Sequence, residues 1–561
     1  MPVKVSYPGV YIDEVKSSVR TITGVPTSIA AFVGWAPRGR TDRPVHITSW
    51  ADYEKEFGGL HRDSAMSYAV EQFYRNGGAE AEIVRVVSKP SQQLKLTLGK
   101  KSNGPKVRPI GPGGWVKNLR ARVESVLGDD GKPVKHVYNL RIRDHSTGVE
   151  ETYLNVSEDP DSPRSLQLAL AGSQLVTWES DGEPPTPNDT VEGLDDQMGD
   201  EDTPDESDEG SAEESGEGEG EERPSRPPVR VGGNKVRFTV IGDVPGDLDD
   251  LPDFAAYKPV GGEAGKSGLY QLLKTDIFNI LCLPEVTVND NLSSGEREKL
   301  LSDAADLCVK RRAVLLVDPP TEWTAAATAG DVADLARRLP LRGDDARNAA
   351  LYFPRILASD SRRDGLVRDF PPCGVMAGVM ARTDAQRGVW KAPAGTDASL
   401  NGVQGLEMPL TDLENGRLNP LGVNCLRELP AVGPVAWGAR TMRGNDQLTD
   451  EWKYLPVRRL ALFVEESLFR GTQWVVFEPN DEPLWASIRL NIGAFMNSLF
   501  REGAFQGRTP AEAYLVKCDR ENNPQNDIDR GIVNIQVGFA PLKPAEFVII
   551  HIQQLAGQVQ V

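Results

Sequence analysis

The sequence predicts a multidomain α/β protein. Its parts are a central α/β sheet domain, a C-terminal α+β domain, an inserted β-rich outer domain, and extended strand arms at both chain ends. Three observations predict this. Apolar strand-like runs alternate with helix-like stretches between residues 276 and 353. Two strongly amphipathic helical patterns precede alternating stretches in the block 441–561. Both chain ends show period-two alternation with no obvious local hairpin partner. At 561 residues the chain exceeds what one hydrophobic core organises, so two to four domains are expected.

Residues 1–20 read as an arm. Val3, Val5 and Tyr7 alternate with Lys4 and Ser6, and Val10 and Ile12 follow the Pro8-Gly9 break. That is the pattern of a half-buried strand, and Pro8 restricts it to an edge. Residues 21–90 read as a compact α/β piece. Ser28–Trp35 is a buried strand. Ser49–Phe57 is a short helix stopped by Gly58-Gly59, and Ser64–Arg75 a second helix stopped by Asn76-Gly77-Gly78. Ala81–Val87 is a strand.

Residues 91–250 change character. Stretches such as Lys135–Arg143 alternate over a polar background, and a tract from about 179 to 228 interrupts them. Within it, residues 179–222 hold 20 Asp and Glu and no Lys or Arg; without them the net charge of −19 becomes +1. The tract has too little apolar surface to offset the entropy of ordering, so disorder is expected. A solvated linker accounts for it, with docking or charge repulsion as the alternative. The near-neutral remainder signals neither nucleic acid nor a membrane surface as partner.

Residues 251–440 read as the central α/β domain. Strands are expected at Asp276–Leu283, Arg312–Val317 and Ala349–Phe353, with helices at Ser294–Val309 and Asp331–Arg338, which implies a parallel sheet. In 441–561, Val457–Arg470 and Leu484–Arg501 are amphipathic helices. Strands are expected at Ala513–Val516, Gly531–Phe539 and Glu546–Gln553. In the last of these, Val548, Ile550 and Ile552 share a face, and Val559 and Val561 close an extended tip.

Catalytic chemistry finds little support. Gly261-Gly-Glu-Ala-Gly-Lys-Ser267 resembles a phosphate loop, but the required first glycine is Val260, so a Gly-rich turn is expected. Asp318 ends a parallel strand, where α/β enzymes place reactive groups, yet Pro319 and Pro320 follow and no partner motif accompanies it; a capping or turn role is expected. The five histidines (46, 61, 136, 145 and 551) are scattered. Cys282, Cys308, Cys373, Cys425 and Cys518 are widely spaced and odd in number, which fits buried free thiols rather than disulfides or a metal site. No catalytic, cofactor-binding or metal-ligating residue is expected. Trp474, Phe477, Trp485 and Phe495 read as core. Arg458, Arg459, Arg489 and Arg501 fall on the polar helix faces. A solvated face accounts for them; a charge-complementary contact with an inner partner is the alternative, with Arg489 and Arg501 as its candidates. The N-terminal stretch lacks the apolar core of a secretory signal and no run is long enough to span a bilayer, so cytoplasmic assembly, or release by lysis, is expected.

Tyr7-Pro-Gly-Val-Tyr-Ile-Asp-Glu-Val15, Thr27–Gly34 and Asn76–Val86 resemble the start of contractile tail sheath proteins. Val457-Arg-Arg-Leu-Ala-Leu-Phe-Val-Glu-Glu-Ser467, Phe477-Glu-Pro-Asn480, Val516-Lys-Cys-Asp519, Asn522-Asn523, Gly531 and Ala540–Phe547 resemble the C-terminal signature of the same family. The resemblance covers about 1–90 and 255–561, and 91–250 resembles nothing known, as in the variable outer domains of this family. It implies a non-enzymatic subunit stacked in six-start helical layers around a tube of Hcp-like proteins, with baseplate and tail terminator or cap proteins as further partners. It also implies that the arms around Val3, Val5, Tyr7, Val10, Ile12, Val548, Ile550, Ile552, Val559 and Val561 insert into sheets of neighbouring subunits. The alternation at both ends points the same way, since unpaired strands template pairing with another chain. The competing readings are a hydrolase or nucleotide-binding enzyme on the central sheet, and a tube or baseplate component of the same machine.

Overall fold

A computed structural model describes residues 20–88, 95–97, 105–127, 133–144, 148–157, 159–180, 239–241, 251–320, 323, 329–337, 341 and 343–549. The chain divides into two compact units, one built from 1–88 and 250–561, the other from 89–249.

The first unit is organised by an eight-stranded sheet. Its strands are β1 (Ala30–Gly34), β2 (Val45–Ile47), β3 (Ala81–Arg85), β4 (Ile280–Cys282), β5 (Val314–Val317), β6 (Ala349–Phe353), β10 (Val423–Leu429) and β11 (Gly433–Ala436). Between β6 and β10 in the chain, β7 (Ile356–Asp360), β8 (Leu366–Phe370) and β9 (Gly405–Leu406) form a small separate sheet. The order across the large sheet is β11-β10-β6-β5-β4-β1-β3-β2. The run from β10 to β3 is parallel, and β11 and β2 close the two edges antiparallel. The near-continuous apolar character of AAFVG, VLLV and AALYF follows from this, because a parallel sheet is covered on both faces.

Alternation assigns residues to faces. Ala31, Val33, Leu281, Leu315, Val317, Leu351 and Val423 point to one core. It is covered by α3 (Ser294–Arg311) and α4 (Ala329–Ala336), through Leu300, Ala304, Cys308 and Val332. Phe32, Ile280, Cys282, Leu316, Tyr352 and Leu426 point to the other. There they meet α1 (Trp50–Phe57), α2 (Ala65–Arg75) and α5 (Cys373–Arg387). The helix starts are encoded as expected: Ser49 accepts the Asp52 N–H, Ser64 accepts the Ser67 N–H, and Ser293 with Glu296 forms a capping box. Gly58 ends α1 in the left-handed region at φ 92°, where a side chain would be strained. The expected strand Asp276–Leu283 forms a ladder only over Ile280–Cys282.

A third core lies under the C-terminal helices α7 (Leu455–Gly471) and α8 (Glu482–Arg501), preceded in the chain by α6 (Asp412–Leu418). Leu460, Val464, Trp485, Ile488, Ile492, Phe495 and Leu499 fill it, together with Ile22 from the start of the chain. A two-stranded ladder, β12 (Tyr514–Lys517) and β13 (Gln536–Phe539), packs beside them.

Two assignments from the sequence are corrected here. Arg458 and Arg459 are not on a solvated face: both are buried, because α7 lies between the central sheet and α8 and has little polar face left. Phe477 is not core: it is fully exposed, in a loop whose backbone turns left-handed at φ 70°. Trp485 and Phe495 are core, and partly buried Trp474 packs against them.

The second unit is β-rich. A four-stranded antiparallel sheet orders Thr239–Ile241, Lys95–Thr97, Lys106–Pro109 and Val176–Ser180. A three-stranded meander joins Leu119–Leu127, Pro133–Asp144 and Glu150–Ser157. Val107, Val123, Leu140, Ile142, Val156 and Val176 share its core. Residues 181–238, which hold most of the acidic tract, lie outside the described residues.

Candidate assembly interface

Residues 20–29 run against α7 and α8 without joining a sheet until β1. Polar side chains hold this rail. Asn491 of α8 accepts the Arg20 N–H at 3.0 Å, and the Arg20 guanidinium sits 4.8 Å over the Trp474 ring. The Ser467 hydroxyl accepts the Val25 N–H at 3.2 Å. Close approach is set by two glycines: a Cβ on Gly471 would lie 2.6 Å from Ile22, and one on Gly24 would lie 2.9 Å from the Phe463 ring. At the end of the rail, Arg459 donates to both carboxylate oxygens of Asp384 at 2.8 and 2.6 Å and to the Thr27 carbonyl at 3.0 Å. The Thr27 hydroxyl donates to Asp384 at 2.7 Å. The residues expected to form the N-terminal arm, Val3, Val5, Tyr7, Val10 and Ile12, lie outside the described residues.

At the other end, β12 and β13 pair antiparallel from Tyr514↔Phe539 to Lys517↔Gln536. A two-stranded ladder presents two edges, and exposed Leu515 lies on it. The loop between its strands is ordered by asparagines. Asn523 accepts the Asn534 N–H at 2.6 Å, and Asn522 donates to the carbonyls of Lys517 and Asn534. Asn480 joins this loop to α8, donating to the Ile532 carbonyl and accepting from the Trp485 indole. After Phe539 the chain is held at Ala540, which donates to the Ala513 carbonyl and accepts from the Gln506 N–H. It is held again at Glu546, which takes a bidentate contact from Arg440 at 2.7 and 2.6 Å. Phe547, Val548 and Ile549 are then more than three-quarters exposed or close to it, at 75, 81 and 77%. Residues 546–549, expected in a strand, are in none. Among the described residues their alternation meets no ladder. Ile550, Ile552, Val559 and Val561 lie outside the described residues.

Arg489 and Arg501 differ in commitment. Arg489 donates to Glu482 at 2.6 Å and to the Cys518 carbonyl. Arg501 is exposed in the last turn of α8.

Reactive groups elsewhere make internal contacts. Asp318 at the end of β5 accepts the Cys373 N–H at 2.8 Å, which caps the start of α5 across the sheet. Burial pushes its carboxyl up to about 6, partly offset by that N–H. Glu285 is buried where the N–H groups of Trp35 and Met66 and the Tyr257 hydroxyl converge. Burial pushes its carboxyl up to about 8 against those donors. The Gly261–Ser267 stretch is a single helical turn between left-handed Gly261 and Lys266. The five cysteines are free and buried. Among the described residues no cluster of three or more His, Cys, Asp or Glu could hold a metal, and no helix is long and apolar enough to cross a membrane. An open cleft of about 760 Å³ is flanked by the 542–547 segment itself.

Residues 447–554 match the phage tail sheath C-terminal domain family. Over that segment the chain is similar to contractile tail sheath proteins. A tail sheath protein of Vibrio phage KVP40 is 26% identical over 182 residues, 32% of this chain and 26% of that protein. A prophage major tail sheath protein of Pseudomonas aeruginosa is 24% identical over 315 residues, 55% of this chain and 75% of that one. The chain thus spans about a quarter of the first relative's length and three quarters of the second's. In fold, the chain is similar to the sheath of an extracellular contractile injection system solved in its contracted state. The TM-score is 0.54 at 20% identity, covering 98% of both chains. The sheath tail protein of Listeria innocua gives 0.54 at 12% identity, covering 93% of this chain and 96% of that one. The motif residues read from the sequence fall into working positions: Asn480, Asn522 and Asn523 order the β12–β13 loop, and Glu546 anchors the last described segment. Sequence reading missed Arg440 and Asp384; Asp384 stands among Arg382, Thr383, Gln386 and Arg387, where a charged residue carries no signal.

Proposed function

We propose that this chain is the structural subunit of a contractile sheath. It polymerises helically, in six starts, around an inner tube of Hcp-like proteins and shortens to drive that tube through a target envelope. Baseplate and terminator or cap proteins bound the lattice. No step of this work needs a catalytic group, a cofactor or a metal. Assembly takes place in the cytoplasm, within a phage tail or injection particle that lysis releases.

The observation that carries the reading is the match of 447–554 to the sheath C-terminal domain, joined to the exposed apolar residues Phe547, Val548 and Ile549 that lie in no strand among the described residues. Strand exchange between identical subunits is a head-to-tail contact, and such contacts make filaments when their rotation does not close. Arms containing Val3, Val5, Tyr7, Val10 and Ile12 at one end, and Val548, Ile550, Ile552, Val559 and Val561 at the other, pair with neighbours. The edges of the β12–β13 ladder, which pair with no third strand among the described residues, suit them as acceptors. Exposed Arg501 is the better candidate for the tube contact, since Arg489 is committed to Glu482 and Cys518.

Negative-stain microscopy of the purified chain tests the reading. Hollow tubes with a cogwheel cross-section are expected, and a chain that stays monomeric at all concentrations sinks it. Deleting residues 1–16 should stop tube growth; tubes of normal length from that variant would exclude arm exchange. Proline at Val559 and Val561 should also block assembly.

A further inference from the structure

We infer that Arg440 is a positioning residue for the C-terminal segment: it grips Glu546 and passes tension from that segment into the central sheet. The inference rests on the sheath reading for its purpose but not for its geometry. Pro541 and Pro544 have no N–H to donate, so the stretch after Ala540 is poorly suited to a ladder of its own. Pro541 bridges Phe505, and beyond it Glu546 ties the described stretch down. Both its oxygens take charge-assisted hydrogen bonds from Arg440, and the Tyr454 hydroxyl lies 3.4 Å from one of them.

Arg440 is built into the fold more deeply than a surface ion pair requires. Its side chain is fully buried. The remaining terminal nitrogen donates to the carbonyls of Asn419 and Gly444 at 3.0 and 3.1 Å and to Asp446 at 2.9 Å. Its backbone is pinned on both sides by one residue: Asn424 accepts the Arg440 N–H at 2.7 Å and donates to the Arg440 carbonyl at 2.8 Å. Asn424 lies in β10, in register with Tyr352 of β6. Glu546, Arg440 and Asn424 therefore form a continuous line from the exposed segment to the parallel sheet.

The physical consequence concerns how the chain end resists pulling. A short two-stranded ladder pulled at its end opens one pair at a time. The Arg440 node must lose a bidentate ion pair held by three further hydrogen bonds before Ala540 and β13 feel the load. A buried arginine is costly to desolvate, and an apolar pair of similar volume often stabilises a fold as well. Directional anchoring is a property that an apolar pair lacks.

Spin labels on the full chain test this. Cysteines replace Val548 and Leu413, both exposed, while the native thiols are buried and do not compete. Electron–electron distance measurements on the unassembled protein should give one narrow distribution. E546Q should widen it at least twofold, and unlabelled E546Q should form tubes several-fold shorter than the unsubstituted chain or tubes that fragment on contraction. Should E546Q fold poorly because it orphans a buried guanidinium, the double variant R440M/E546Q removes that charge and should widen the distribution equally. An unchanged distribution with a lowered melting temperature means a merely stabilising pair and overturns the proposal. So does a widened distribution with tubes of normal length and integrity. If the unsubstituted chain makes no tubes at all, the sheath reading fails, and the distance distribution still decides whether Glu546 is the anchor.

Discussion

Arg459 of α7 and Asp384 of α5 form a bidentate ion pair whose side chains are only 3 and 4% exposed, and Thr27 closes it from the N-terminal rail. Three segments far apart in sequence meet at this pair. Removing one partner leaves the other charged, buried and unmatched, which costs about 3–5 kcal/mol. Asp384→Ala should therefore lower the urea midpoint of the chain sharply, and a double Arg459→Met, Asp384→Leu variant should recover most of the loss. Equal losses in the single and double variants would show that the pair does not act as a unit.

Glu285 makes stability depend on pH in an unusual direction. Its folded carboxyl is raised by burial to about 8 from an ordinary value of 4.5. The fold thus holds a proton that the unfolded chain releases, so stability from this group is fully present below about 4.5 and is lost as pH rises towards 8. Tyr53 and Tyr257 are titratable groups that feel its charge. Glu285→Gln carries no charge at any pH. Its stability relative to the unsubstituted chain should rise between about pH 5.5 and 8.5, by on the order of 3 kcal/mol at most. Paired urea titrations at the two pH values measure it; a constant difference would rule the coupling out.

Much of this architecture was legible because it is local. The helix starts at Ser49, Ser64 and Ser293 and the stop at Gly58 depend on neighbouring residues, so their spacing announced them. The buried strands AAFVG, VLLV and AALYF announced a covered parallel sheet by composition. What the sequence hid is long-range. Arg458 and Arg459 sit where an isolated amphipathic helix would be wet, and only the placement of α7 between two cores buries them. Phe477 looked like core because it is aromatic and adjoins Trp474, but the loop before α8 turns it outward. Arg440 and Glu546 are 106 residues apart, and nothing in either neighbourhood names the other.

Gly374 and Gly378 form a small-residue stripe on α5 that brings it onto the backbone of α2. A Cβ on Gly374 would lie 2.3 Å from the Ala69 carbonyl oxygen, and one on Gly378 would lie 2.6 Å from that of Phe73. The obstacle is backbone, so a methyl cannot be accommodated by a rotamer change. Overpacking of this kind costs roughly 1–3 kcal/mol or more, against a gain of at most about 1 kcal/mol from the better helix propensity of alanine. Gly378→Ala should lower the melting temperature of the chain, whereas Gly416→Ala, at a helical glycine with open space around it, should not. Equal behaviour of the two would contradict the close approach of α5 and α2.

Phe477 combines two costs in one residue. Its backbone is left-handed at φ 70°, a region that disfavours bulky side chains, and its ring is fully exposed beside half-exposed Val476. Neither helps an isolated subunit fold. Glycine at this position relieves the backbone strain and removes exposed apolar surface, so Phe477→Gly should stabilise the monomer by about 1 kcal/mol in a urea titration. If the ring instead serves a contact in the assembled sheath, the same variant should assemble several-fold more slowly, read by light scattering and by tube counts in negative stain. A stabilised monomer that assembles at the normal rate would leave the exposed ring without a role in the lattice, and a destabilised monomer would show that the loop needs phenylalanine for its own fold.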